Sequence, residues 1–114
     1  MLQSYQDIVA DDPRAARRAE GAAFDRVLAT LARAQRDGSD RRLAGEALDG
    51  VDQLWRALMG DLADGGNALP DALRAQLISI GLWTLTEVSR ITTAGTTDFG
   101  GLIAVNSSIR DGLR

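Results

Sequence analysis

Apolar residues along this chain recur at three- and four-residue spacing in four long stretches, the period of an amphipathic helix. The densest stretch runs from Leu69 to Ile91. Pro70 stands at its first turn, where a missing N–H does no harm, and Asp71 puts negative charge near the positive end of the helix dipole. Leu73, Leu77, Ile80, Val88 and Ile91 follow helical spacing, and between Leu77 and Leu85 apolar residues cover nearly the whole circumference. A helix that is apolar all round is a buried one. At the standard rise such a helix is roughly 35 Å long, enough to span a small domain. The pattern predicts a central apolar helix over 69–91, covered by the other segments.

Before it, Leu2, Tyr5 and Ile8 or Val9 predict a short N-terminal helix that needs a body to dock on. Asp12 as N-cap and Pro13 at the first helical position then open a long helix whose inner side carries Ala16, Ala19, Ala23, Phe24, Val27, Leu28 and Leu31. Asp37-Gly38-Ser39-Asp40 ends it, with Gly38 as the expected left-handed cap. Asp40 caps the next helix, where Leu43, Ala47, Leu48, Val51, Leu54, Trp55, Leu58 and Leu62 form a broad stripe. Gly45, Gly50 and Gly60 lower its helicity, each by up to about 1 kcal/mol against alanine. Asp64-Gly-Gly-Asn67 is a break. Gly95 is a stop signal after the central stretch. Thr97 or Asp98 can cap a last helix with Phe99, Leu102, Asn106, Ile109 and Leu113 in register.

No stretch reads as a strand with comparable strength, and no repeat or second domain is visible. The expected fold is all-α: a single-domain helical bundle, residues 1–114, with four main helices plus a short N-terminal helix around the helix 69–91. Composition agrees with this. The chain has 114 residues, 45% apolar, only 4% aromatic, so its core is built mainly from Leu, Ile, Val and Ala. Its start has no basic, apolar leader pattern, and its longest apolar run is too short to cross a bilayer. A cytoplasmic protein with no membrane partner is expected.

The absence of histidine, cysteine and lysine removes most catalytic chemistry: no imidazole base, thiolate, Schiff-base amine or P-loop lysine can be supplied. Metal would have to be held by carboxylates alone. The three glutamates, Glu20, Glu46 and Glu87, fall on three different predicted helices without the histidines that bundle metal sites use. Glu20, three residues from Arg17, reads as an ion-paired or solvated position. No catalytic residue, metal or cofactor is expected, and the protein reads as a non-enzyme. Arg14, Arg17 and Arg18, and Arg41 with Arg42, could touch phosphate. However, Asp11, Asp12, Glu20 and Asp40 interleave with them, the net charge is −3, and no aromatic platform accompanies them. Direct nucleic-acid binding is the minor reading.

Asn106 is the one polar residue on the apolar stripe of the last helix. It reads first as a buried amide that fixes register, and second as a contact to a partner at the end of the bundle. Trp55 and Trp83 read as core, a tryptophan being a binding anchor only where it is partly exposed.

Several loose motifs in order carry a resemblance. Leu54-Trp55, Asp61-Leu62, Asn67-Ala-Leu69-Pro70, Leu73-Arg74-Ala75-Gln-Leu77-Ile78-Ser79-Ile80-Gly-Leu-Trp83 and Gly101-Leu102-Ile103-Ala-Val-Asn106-Ser-Ser-Ile109-Arg-Asp-Gly112-Leu113, with Tyr5-Gln6 and Arg18-Ala-Glu20 before them, resemble the FlaF family of alphaproteobacterial flagellar biosynthesis regulators. The resemblance implies a small cytoplasmic factor that controls flagellin synthesis and secretion, acts with the flagellin-repressing partner FlbT, and binds flagellin as a chaperone would. A regulator that contacts flagellin messenger RNA, and a structural or adaptor bundle, are the alternatives. In the flagellin-binding reading an apolar groove beside the central helix supplies the energy, and arginine pairs such as Arg41-Arg42 tune its rim. The side chains expected to meet the partner are Trp55, Leu73, Leu77, Trp83, Leu102 and Asn106.

Overall fold

The computed structural model describes residues 13–112, with side chains from residue 18 onward. The predicted short N-terminal helix and its Asp12 boundary lie outside the described residues. Four helices follow one another: α1 Pro13–Arg36, α2 Arg41–Ala63, α3 Asp71–Ala94 and α4 Gly100–Asp111. Pro13 takes the first helical position of α1, as its fixed φ favours. Asp40 caps α2, its Oδ1 accepting from the Leu43 N–H at 3.0 Å. Gly95 ends α3 in the left-handed conformation at φ 68°, its N–H bonded to the Ile91 carbonyl.

Three boundaries differ from the sequence reading. Gly38 has no positive φ, since Gly95 is the one positive-φ residue among those described, and α1 stops through turns instead. Pro70 is the N-cap of α3 rather than its first helical residue, and the helix continues to Ala94. Phe99, fully buried, occupies the N-cap of α4; Asp98 still serves that end, accepting the Gly100 N–H at 3.1 Å.

The larger correction concerns the centre. The helix that holds the fold together is α2, which packs against both α1 and α3, while α4 packs on α1. Phe24 and Leu31 of α1, Val51 and Trp55 of α2, Ile91 of α3, and Phe99 and Leu102 beside them are almost wholly shielded from solvent. Each is worth about 1.5–3 kcal/mol in burial, so this cluster is the main source of stability. By contrast, α3 buries only Gly81, Thr84, Val88 and Ile91, one narrow stripe. Gly81 lets it approach closely: an added Cβ would stand 2.7 Å from the Met59 sulfur and 3.0 Å from the Trp55 ring. Of the expected core residues, Ile80 and Leu85 are only partly buried against this cluster. Leu69, Leu73, Leu82 and Trp83 stay 39%, 40%, 56% and 40% exposed. Apolar residues all round this helix therefore do not mean burial all round. One face meets α2, and the other is left uncovered.

Candidate functional site

The four helices run antiparallel, so the start of α1, the end of α2, the start of α3 and the end of α4 meet at one end of the molecule. There they enclose an apolar groove of about 440 Å³. Its floor is Phe24 and Trp55, an edge-to-face pair with centroids 6.0 Å apart and planes at 84°. Leu58 and Leu62 of α2, Leu69 with Leu73 and Leu77 at the start of α3, and Ile109 of α4 form the walls.

The floor is held by hydrogen bonds below it. The Trp55 Nε1–H donates to Asn106 Oδ1 at 2.7 Å, and Asn106 Nδ2 donates to its own helix at the Leu102 carbonyl, 2.8 Å away. Both bonds are buried, where an unpaired indole N–H would cost about 1–3 kcal/mol. Asn106 thus sets the orientation of the tryptophan ring that forms the groove floor.

One wall is set by the loop between α2 and α3. Asn67 donates from Nδ2 to the Asp61 carbonyl at the end of α2 and accepts the Leu69 N–H at Oδ1, both at 3.0 Å. Asp64 Oδ1 accepts from Gly66 N–H, tightening the same turn. Pro70 then disfavours helix at Leu69 and sends the chain into α3, whose Arg74 N–H bonds the Pro70 carbonyl at 3.0 Å. The Asn-Ala-Leu-Pro run is the device that delivers Leu69 and Leu73 to the rim.

Among the described residues the charged lining of the groove is acidic. Glu20 of α1 and Asp61 of α2 both border it. Burial first, and the negative charge of Asp61 second, push the Glu20 carboxyl above the ordinary carboxylate range. The Arg17 side chain, the partner suggested by spacing, lies outside those described, and among the described residues Glu20 has no salt bridge. Two cations among the described residues are engaged elsewhere. Arg110 forms a two-pronged pair with Asp25 at 2.8 and 3.2 Å, lying over Gly21, and Arg74 pairs with Asp71 at 2.8 Å.

Of the six side chains expected at a partner, the structure brings three together: Trp55 in the floor, Leu73 and Leu77 in the wall. Leu102 and Asn106 are fully buried and act on the groove only through Trp55. Trp83 is partly exposed on α3 outside the groove, its ring edge 3.8 Å from where a Gly101 Cβ would stand. Phe24, Leu58, Leu62, Leu69, Ile109, Glu20 and Asp61 were not singled out as site residues. The apolar ones among them did lie on predicted stripes. Nothing in the sequence placed Glu20 beside Asp61.

The arginine pair Arg41-Arg42 is not on the rim, because it opens α2 whereas the groove is built on its last turns. Arg41 Nη1 donates to the Gly95 carbonyl at 2.7 Å, and Arg42 lies 3.9 Å from Glu46. A second hollow of about 380 Å³, between α1 and α2, is shallower and of mixed polarity, lined by residues such as Arg26, Thr30, Glu46 and Gln53. It is an ordinary furrow between two helices. No helix among the described residues is long and apolar enough to cross a membrane.

A family model described as flagellar protein FlaF matches residues 1–113 of the chain. No curated protein and no solved structure matches it.

Proposed function

The chain belongs to the FlaF family of flagellar proteins, and from that premise we propose that it is a non-enzymatic cytoplasmic factor that binds flagellin in a chaperone-like way and regulates its synthesis and secretion. A FlbT-type regulator is the proposed second partner. The observation that carries this reading is the groove. It is apolar, open to solvent, and bordered by Leu69 and Leu73, leucines that a finished core would have covered. Its volume lies within the roughly 300–1,000 Å³ of binding clefts, and its shape between helix ends suits the apolar face of an amphipathic helix. Flagellin's terminal helices are amphipathic and need such cover before they polymerise. An inert spacer would have no use for an uncovered groove.

Calorimetry with purified flagellin and with a FlbT-type regulator tests the proposal. Binding to flagellin that is lost in Leu73→Asp, a variant at a largely exposed position, is the expected result. No binding to either protein at tens of micromolar, about −6 kcal/mol or weaker, would sink it.

A further inference from the structure

We infer that the groove is built for an amphipathic helix with an arginine or lysine at the edge of its apolar stripe, that cation sitting between Glu20 and Asp61. The inference rests on the groove reading above and adds the charge the occupant must bring.

Among the described residues, Glu20 and Asp61 are the charged residues of the lining, and they carry the same sign. They border the same groove from different helices, and the Asp61 charge adds to the upward push on the Glu20 carboxyl. Among the described residues neither is in a salt bridge, although the chain pairs its acids readily elsewhere: Asp25 with Arg110, Asp52 with Arg56, Asp71 with Arg74. For the empty protein this is a poor arrangement. A half-buried carboxylate on an apolar wall, facing a like charge, is disfavoured, and glutamine at position 20 would serve stability better. A cation delivered by a partner reverses the sign of both effects. It offsets the repulsion and supplies the charge that burial penalises.

The pair also does what the leucines cannot. Apolar contacts at Leu62, Leu69 and Leu73 accept most amphipathic helices, and a slip of one turn replaces one leucine by another at little cost. A pair of carboxylates at one place in the groove favours one register and rejects a helix with an acidic residue there. Guanidinium, planar and many-pronged, suits a groove that offers carboxylates from two helices.

The test uses the full chain and peptides tiled across the two terminal segments of flagellin, followed by fluorescence anisotropy. In each peptide that binds, every arginine and lysine is replaced singly by glutamine. Each is then titrated against wild type, Asp61→Asn and Glu20→Gln/Asp61→Asn. Asp61 is exposed, so the single variant keeps the fold intact if the double does not. One replacement is expected to weaken binding to wild type about tenfold, and to change it less than about twofold against the variants. A loss under about twofold at every basic position, or an equal loss on wild type and variants, overturns the inference and leaves the groove reading standing. Should no peptide bind wild type, the groove reading fails and the inference falls with it.

Discussion

The two ends of the molecule are built from the same four helices and end in opposite states. At one end α1 and α3 finish and α2 and α4 begin. There Gln35 Oε1 accepts the Phe99 N–H at 2.8 Å, Arg41 donates to the Gly95 carbonyl, and Leu31, Ile91 and Phe99 are shut away from water. Helix ends are satisfied across the chain, and the apolar side chains are covered. At the other end the apolar side chains line an open groove and two carboxylates stand without a cation among the described residues. In the proposed function one end is closed and the other is left open for a partner. Closure serves stability, and on that reading openness serves recognition.

If that contrast is right, substitutions at the two ends divide between folding and binding. Phe99→Ala at the closed end is expected to cost about 3–5 kcal/mol in urea unfolding. Leu73→Ala at the groove costs under about 1 kcal/mol because much of its surface is already wet. Equal losses at the two positions would break the comparison. Asn106→Leu joins the two concerns, stripping the Trp55 N–H of its acceptor. A loss of about 2–3 kcal/mol, together with a shift in tryptophan emission, is expected.

Smaller effects sharpen the picture. A Cβ at Gly45 or Gly60 meets nothing within 4 Å. Alanine at both positions is therefore expected to stabilise α2 by about 1–2 kcal/mol in total, raising the melting temperature while leaving groove binding unchanged. Smallest is Glu20→Gln. Because the folded protein holds the Glu20 proton more tightly than the unfolded chain, stability falls as pH rises from the ordinary carboxylate range through the raised one. Glutamine abolishes that fall. The variant is expected to be more stable at pH 7 by under about 1 kcal/mol, after solvent screening of a half-exposed group, with the gain vanishing below about pH 4. Thermal melts of both proteins at the two pH values read this directly.

Much of this architecture is legible in the residues alone. Helical spacing marks α2 from its Asp40 cap through Leu62, and Gly95 marks the end of α3, because caps and periods are local properties of short stretches. The sequence likewise determined that Asn106 would be a polar residue on an apolar stripe, and that Trp55, Leu73 and Leu77 were candidates to face a partner. Which of these touch one another, it left open. Periodicity records how much of a helix surface is apolar and not what covers it, so the stretch 69–91 reads as a core when only its Gly81, Thr84, Val88 and Ile91 stripe is buried. Tertiary structure alone decided that α2 is the centre, that Leu102 and Asn106 lie beneath the floor rather than on it, and that Glu20 and Asp61 border the same groove. Contacts between helices depend on how far each face turns when four of them pack. That rotation is set by close approaches such as Gly81 against Met59, which no single helix records in its own sequence.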